Sequence, residues 1–296
     1  ATSLRLGDIG YTNHRENEIG IKACYDNLND YVACLTRAIE KPYAAYEEIG
    51  VLTNGEYRQL NANILQIENE YYSTVRPKQI AKSNEKPTHA LLDRGVRYVE
   101  IRSLDINPFS EIGVDTEQVN FIEVLFMYCL LGDDQIIDTR EQEEIDINEY
   151  EVAHRGRKQG LYLRRHGKSV LLVDWLREIF ADMQAVAQLM NTDVTNYSQS
   201  LDSFAASIEN SEHTLSARIL AGMKSEKLSY YDFIALLGKQ YCDQFSNDLD
   251  SASIQYFTAL AEKSRQQQKQ LEANDNCDFS QFLKQYFAQS FIKRSR

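Results

Sequence analysis

The stretch VRYVEIRSLDI, residues Val96–Ile106, decides the fold class of this chain. It is rich in β-branched and aromatic residues, which favour strands, and the Asn107-Pro108 that follows is a turn signal. The composition therefore predicts a strand over this whole stretch. Because side chains alternate between the two faces of a strand, Glu100 and Arg102 are expected to share one face.

A carboxylate and a guanidinium two residues apart in a strand have two interpretations. Both groups are costly to bury without a partner, and in the first interpretation they form an ion pair on a solvated sheet face. In the second, the face is the floor of a cleft. Glu100 is then a ligand of Mg²⁺, and Arg102 is a clamp for a carboxylate or phosphoryl group. The residues alone leave both interpretations open.

The segment QIENEYYSTVRPK, residues 66–78, carries a similar pattern of polar side chains. We predict one or two strands over Tyr57–Tyr72, followed by a rigid turn at Arg76-Pro77-Lys78. The polar residues of one strand face are Gln66, Glu68, Glu70 and Tyr72. Oxygen ligands on adjacent strands suit Mg²⁺, whereas the alternative is a polar edge strand. The two cations of the turn are either ordinary surface charge or a phosphate contact.

The pattern changes near residue 114, where short segments between turn signals give way to apolar residues at helical spacing. We predict an α+β fold in which residues 1–114 form a sheet region and residues 115–296 form helices that wrap it. The predicted helices are Ile21–Glu40, Tyr43–Ile49, 116–131, 142–156, 169–190, 196–209, 213–224, 229–246, 250–272 and 278–292. The basic cluster Arg155–Lys168 is predicted to be a solvated turn between helices, with a role near phosphates or an acidic partner as the alternative.

The charge balance and the cysteines limit the partners of this chain. Its 296 residues include 32 Lys+Arg and 44 Asp+Glu, which give a formal net charge of −12 at pH 7. This acidity argues against a protein that coats nucleic acid, because such a protein needs a basic surface. The sequence shows no membrane span or signal peptide, and its five cysteines lack CxxC or zinc-ligand spacing. We therefore expect a cytoplasmic protein with reduced thiols and neither nucleic acid nor membrane as partner.

Three segments together resemble the proteobacterial type of glutamate–cysteine ligase, also called γ-glutamylcysteine synthetase. They are ATSLRLGDIGYTN (residues 1–13), QIENEYYSTVRPK (66–78) and GVRYVEIRSLDINPFSEIGVD (95–115). A weaker likeness continues through GRKQGL (156–161) and LSARIL (215–220). The resemblance therefore spans nearly the whole chain and is strongest before residue 116.

The resemblance implies a catalytic fold similar to that of glutamine synthetase, with an antiparallel sheet that forms a cleft covered by helices. It implies that ATP phosphorylates the γ-carboxylate of L-glutamate and that the amine of L-cysteine then attacks the γ-glutamyl phosphate. This reaction is the first step of glutathione biosynthesis. Mg²⁺ is the implied cofactor, with Mn²⁺ as an alternative, and the full-length enzyme is expected to be a monomer.

Individual residues take roles from the resemblance. Glu100 matches a strand glutamate that binds Mg²⁺, and Arg102 matches an arginine beside the glutamate γ-carboxylate and the transferred phosphoryl group. Arg5 matches a glutamate-binding arginine, while Tyr11 and Tyr72 match tyrosines of the cysteine pocket. Family members carry a further N-terminal half with more metal-binding carboxylates. We therefore expect this chain to be a C-terminal portion of such an enzyme, with little ligase activity alone.

Two other functions remain open at this point. One is a related ATP-dependent carboxylate–amine ligase that uses a different amine. The other is a non-catalytic helical interaction module, in which the region after residue 115 is a scaffold. Binding of Mg-ATP would separate a ligase from a scaffold, since a scaffold has no reason to bind the nucleotide.

Overall fold

The structure, a computed structural model, describes residues 2–8, 10, 22–133, 136–246 and 249–289. In chain order its elements are α1 (Leu28–Glu40), α2 (Ala44–Ile49), β1 (Leu52–Thr53), β2 (Glu56–Tyr57), a 3₁₀ turn (Glu68–Glu70), β3 (Val75–Lys78), α3 (Pro87–Arg94), β4 (Tyr98–Ile101), α4 (Thr116–Leu131), α5 (Thr139–Arg155), β5 (Tyr162–Arg165), β6 (Lys168–Leu171), α6 (Leu172–Met190), α7 (Tyr197–Glu209), a second 3₁₀ turn (Ser211–His213), α8 (Leu215–Glu226), α9 (Tyr230–Phe245), α10 (Ser251–Asn274) and α11 (Phe279–Phe287). The strands pair antiparallel, β1 with β2, β3 with β4, and β5 with β6. This mixture of helices and antiparallel strand pairs confirms the predicted α+β class.

The chain divides into two compact units. The first contains residues 1–12 and 103–243, and the second contains residues 13–102 and 244–296. The expected division at residues 114 and 115 separates a catalytic sheet from a helical region, and that functional division stays a prediction. No helix in the described part of the chain is long and apolar enough to cross a membrane.

The core of the second unit forms around α1. Its buried side chains include Tyr31, Val32 and Leu35, which pack with Leu91 of α3. The helix starts later than predicted, because the Asn27 side chain accepts a hydrogen bond from a backbone N–H in the first turn and so caps the helix there. It ends before Lys41-Pro42, as predicted, since proline cannot continue a helix.

The predicted strands over Tyr57–Tyr72 are wrong beyond Tyr57, which ends β2. Side-chain amides in this segment bond to backbone groups that a strand would need for its ladder. Asn61 Nδ2 donates to the Gln66 carbonyl (2.9 Å), and Gln66 Oε1 accepts from the Leu60 N–H (2.6 Å). The segment is therefore irregular until the 3₁₀ turn, and the expected face of polar strand residues does not form.

The strand predicted over Val96–Ile106 is present but shorter, since β4 covers only Tyr98–Ile101. Its length is set by its partner β3, which has four residues and is the strand that pairs with it. Single hydrogen bonds extend the pairing at both ends, from Arg97 N–H to the Lys78 carbonyl (2.8 Å) and from Arg102 N–H to the Thr74 carbonyl (2.7 Å). The paired length of β4 therefore matches that of β3.

The first unit has a helical core in which Val124 of α4, Met183 and Ala187 of α6 and Leu201 of α7 are buried together. The predicted helices of this region are present, with end points that differ by a few residues. The exception is the predicted turn at Arg155–Lys168, which is wrong in part because it contains β5 and the start of the β5–β6 hairpin.

Two turns carry the positive φ angles that short hairpins need. Asn54 (φ 54°) and Gly55 (φ 83°) join β1 to β2, as the Asn-Gly sequence predicted. His166 (φ 49°) and Gly167 (φ 75°) join β5 to β6 in the same way. Histidine is less typical than asparagine at this position, which is why the second hairpin was not predicted.

Candidate functional site

The paired strands β3 and β4 bring four charged side chains to one face. In the antiparallel register, Arg76 lies opposite Glu100 and Lys78 lies opposite Tyr98. Because alternate residues share a face, Arg76, Lys78 and Glu100 project to the same side of the pair. The sequence had placed Glu100 and Arg102 on one face, and the pairing adds two cations that the sequence did not assign to it.

Glu100 lies between two of these cations. Its Oε2 is 3.3 Å from Lys78 Nζ, and its Oε1 is 3.4 Å from Arg102 Nε. Burial by itself would raise the pKa of Glu100, but Lys78, Arg102 and Arg76 outweigh that effect and hold the pKa below its ordinary value. The carboxylate is therefore ionised at neutral pH, and the two side chains that sequence analysis singled out are in contact.

Arg76 is the most buried charge on this face, with 4% of its surface exposed. Its Nη2 donates to the Glu68 carbonyl (3.4 Å), and its guanidinium also interacts with the Tyr31 hydroxyl. Its Nε has no hydrogen-bond partner among the described residues. The interpretation of Arg76 as ordinary surface charge is therefore wrong. Lys78, the second cation of this segment, is partly exposed. The alternation of Arg and Lys around Pro77 was the signal for a shared face.

Tyr72 supports the backbone where Arg102 leaves the strand. Its hydroxyl donates to the Arg102 carbonyl (3.0 Å), and the Arg102 guanidinium lies 5.8 Å from the centre of the Tyr72 ring. Tyr72 is buried. The structure therefore brings Tyr72, Glu100 and Arg102 together, while the role of Tyr72 in a cysteine pocket stays a prediction.

Glu68 and Glu70 do not lie beside Glu100 on a strand, so the expectation of carboxylates on adjacent strands is wrong. Both are in the 3₁₀ turn, where Glu68 is buried. The Glu68 carboxylate accepts hydrogen bonds from Thr88 Oγ1 (2.7 Å) and from the Tyr286 hydroxyl (3.2 Å). Those two hydroxyls direct the Glu68 carboxylate toward α3 and α11.

The residues of this face do not form a metal site by themselves. Mg²⁺ takes six oxygen ligands, commonly one or two carboxylates with water and phosphate oxygens. No group of three or more His, Cys, Asp or Glu side chains converges within the described ranges, and each oxygen of Glu100 already faces a cation. The assignment of Glu100 as a metal ligand stays a prediction.

A cavity of about 180 Å³ adjoins the strand pair. Its walls come from β3, α1, α3 and the 3₁₀ turn, and its polar lining includes Arg76, Lys78, Tyr31 and Thr88. Apolar side chains, among them Leu35 and Leu91, complete the lining. The sequence gave no sign of this cavity, because helices distant in the chain form its walls.

The other two predicted site residues are Arg5 and Tyr11. Arg5 lies in the first unit, where its backbone N–H donates to Asp105 Oδ1 (2.8 Å). Tyr11 lies outside the described residues. Their predicted roles in glutamate and cysteine binding stay predictions.

Comparison with known proteins agrees with the resemblance seen in the sequence. The family model for glutamate–cysteine ligase matches residues 1–152. The glutamate–cysteine ligase of Shewanella pealeana is 39% identical over 289 residues, covering 97% of this chain and 55% of its own length. That of Pseudomonas fluorescens is 38% identical over 293 residues, covering 97% of this chain and 54% of its own length.

Solved structures give the same result for the fold. The crystal structure of the Francisella tularensis glutamate–cysteine ligase in complex with AMP is similar with a TM-score of 0.87 and 34% identity, over 97% of this chain and 57% of that one. A bifunctional glutathione synthetase from Pasteurella multocida shares the fold with a TM-score of 0.59 and 20% identity, over 82% of this chain and 27% of its own.

The relatives that match over nearly all of this chain are ligases. The chain belongs to the glutamate–cysteine ligase family. It spans about half the length of the curated relatives that it matches.

Proposed function

We propose that this chain takes part in the ATP-dependent ligation of L-glutamate to L-cysteine. The observation that carries the proposal is the match to glutamate–cysteine ligases along 97% of the chain. The Glu100–Arg102 contact supports it, since both residues were assigned from the same resemblance. The relative with AMP bound supports a nucleotide substrate.

In the proposed reaction the γ-carboxylate oxygen of glutamate attacks the γ-phosphorus of ATP, and ADP leaves. The amine of cysteine then attacks the acyl carbon and inorganic phosphate leaves. The first step brings two anions together and the second releases a phosphate anion, so cationic side chains are needed to neutralise charge as it develops. Arg102 has this role in the proposal, and its ion pair with Glu100 holds the guanidinium in place. No protein nucleophile is required.

The proposal includes Mg²⁺ as the cofactor, with Mn²⁺ as the alternative and Glu100 as one ligand. The metal would neutralise phosphate charge when bound. L-Glutamate, L-cysteine and ATP are the proposed partners, and the enzyme acts as a monomer in the cytoplasm. The acidic composition supports the absence of nucleic acid from this list.

A chimera tests the function most directly. The region of the Shewanella pealeana enzyme that this chain matches would be replaced by the chain itself. Phosphate release would then be measured with ATP, glutamate and cysteine, each omitted in turn. We expect turnover that needs all three compounds and a loss of at least about a hundredfold for Arg102→Met, since one stabilising contact to a developing charge contributes that much. Turnover without cysteine, or with another amine preferred, would contradict the substrate assignment.

The cysteine pocket is tested in the same chimera with Tyr72→Phe and Tyr11→Phe. We expect the KM for cysteine to rise while the KM values for glutamate and ATP stay near their original values. Tyr57→Phe is the matched control, since its hydroxyl bonds to Ser280 rather than to the strand pair (2.9 Å). If only the glutamate or ATP constants change, the assignment of these tyrosines to cysteine is wrong.

A further inference from the structure

We propose that the cavity beside β3 is a phosphate-binding subsite, with Arg76 and Lys78 as its cationic ligands. The inference rests on the proposed function in one respect, which is that the phosphate belongs to the nucleotide rather than to free inorganic phosphate. The β3 residues that carry it were not assigned a role by the resemblance.

Arg76 gives the first reason for the subsite. Its side chain lines the cavity and is almost wholly buried, yet its Nε lacks a hydrogen-bond partner within the described residues. It forms no ion pair with a carboxylate of the described part of the chain. A buried guanidinium is normally paired, because removing its charge from water is costly. Its planar donors match the oxygens of a phosphate group.

The charge balance of the face gives the second reason. Within the strands themselves, Arg76 and Lys78 of β3 carry two positive charges and Glu100 of β4 carries one negative charge. The strand pair therefore holds a formal excess of one positive charge in a chain whose net charge is −12. This excess favours an anionic ligand.

Glu68 also lines the cavity, and its carboxylate accepts hydrogen bonds from the hydroxyl groups of Thr88 and Tyr286. No ion pair joins this carboxylate to Arg76 within the described residues, where Arg76 Nη2 instead donates to the Glu68 backbone carbonyl. Arg76 is therefore the cation of the cavity that lacks a carboxylate partner in the described part of the chain, while Lys78 shares Glu100 with Arg102.

The volume of the cavity limits how much of a ligand it can hold. Sites for whole drug-sized ligands enclose about 300–1,000 Å³, whereas this cavity encloses about 180 Å³. It accommodates a phosphate group and its water but not a complete nucleotide. The apolar walls from Leu35 and Leu91 strengthen the attraction, because charges interact more strongly away from bulk water.

The test measures binding to the whole chain by isothermal titration calorimetry at constant ionic strength with EDTA present. The probes are tripolyphosphate, inorganic phosphate, ATP and adenosine. Lys78→Gln is the main variant, because Lys78 is partly exposed and we expect the fold to tolerate its replacement, which circular dichroism checks. Lys82→Gln is the matched control, since it removes the same charge from an exposed position in the same unit. Arg76→Lys adds a second variant that keeps the charge but removes the planar donors.

We expect Lys78→Gln to weaken tripolyphosphate and ATP by about tenfold, the effect of losing one charge-assisted hydrogen bond. Lys82→Gln should change both affinities by less than about twofold, since an exposed charge contributes little. The inference is overturned if the original chain does not bind tripolyphosphate, or if Lys78→Gln binds it as tightly as the original chain.

The ATP and adenosine arms separate the subsite from the proposed function. If Lys78→Gln binds ATP as tightly as the original chain does, the proposed function is retained and the phosphate subsite is rejected. Tripolyphosphate binding that depends on Lys78, with no added affinity for ATP, supports the subsite and counts against a nucleotide as the source. Inorganic phosphate bound as tightly as tripolyphosphate assigns the cavity to a free anion instead.

Discussion

At the scale of single residues, the charges of this chain act in small groups whose partners are fixed by geometry. Glu100 has two cations within 3.4 Å, and Glu68 has two hydroxyl donors. Glu85 is held by Arg94 through two short contacts (2.6 and 2.9 Å). The Arg94 hydrogen bonds hold the pKa of Glu85 at about 2, well below its ordinary value. This pair makes stability depend on pH.

Replacing Glu85 with Gln tests this dependence. A carboxyl whose pKa is lowered by folding stabilises the folded state above its unfolded pKa, and the effect disappears as the pH falls through the folded value. The free energy of unfolding of the original chain should therefore exceed that of Glu85→Gln near pH 7, by up to about 1 kcal/mol for a partly exposed pair. We expect this difference to shrink as the pH falls from 4.5 toward 2.

Urea unfolding at a series of pH values measures the difference. Glu56→Gln is the control, because it makes the same substitution at an exposed site in the same unit. A gap between Glu85→Gln and the original chain that stays constant down to pH 2.5 would show that Arg94 does not lower the pKa.

At the scale of elements, the ends of helices were predicted well where capping residues are present. Asp115 begins α4 with a capping box, in which its side chain accepts from the Gln118 N–H (2.8 Å) and Gln118 Oε1 accepts from the Asp115 N–H (3.1 Å). Asp115 also accepts from Asn107 Nδ2 (2.9 Å), which ties the helix to the segment after β4. The cap therefore stabilises the first turn of α4 and holds the segment that leads into it.

Replacing Asp115 with Ala removes the two hydrogen bonds that its carboxylate accepts at this junction. We expect the free energy of unfolding to fall by about 1–2 kcal/mol, the usual cost of losing a helix cap. Chemical denaturation followed by circular dichroism measures the change.

Asp250→Ala is the matched control for the cap. Asp250 caps α10, which has no buried residues, so its loss should fray that helix and leave the main transition almost unchanged. Equal losses in the two variants would contradict the view that burial of α4 makes its cap important.

At the scale of the whole molecule, each compact unit has a core of its own. Leu201 is wholly buried with Val124, Met183 and Ala187 in the first unit, whereas Leu189 in the same unit is 85% exposed. The second unit is built around α1 and α3. The core of the second unit includes side chains that also line the cavity beside β3.

Leu201→Ala tests the core of the first unit. We expect a loss of about 2–5 kcal/mol in the free energy of unfolding, because the substitution removes buried methyl groups and leaves a cavity. Hydrogen exchange should show reduced protection in α4, α6 and α7.

Leu189→Ala, the same change at an exposed position, should cost less than about 0.5 kcal/mol. Similar losses for the two leucine variants would contradict the assignment of the core.

The sequence by itself determined the α+β class, most helix positions, the Asn54-Gly55 hairpin and the placement of Glu100 and Arg102 on one face. These features depend on local periodicity, caps and turns, which neighbouring residues specify. Only the tertiary structure decided that Val75–Lys78 pairs with β4, that the Glu68 carboxylate bonds to Thr88 and Tyr286, and that Arg76 is buried beside a cavity. Strand pairing and burial depend on partners far away in the chain. Local spacing therefore showed that Glu100 and Arg102 share a face, while the fold determined which cations lie beside them.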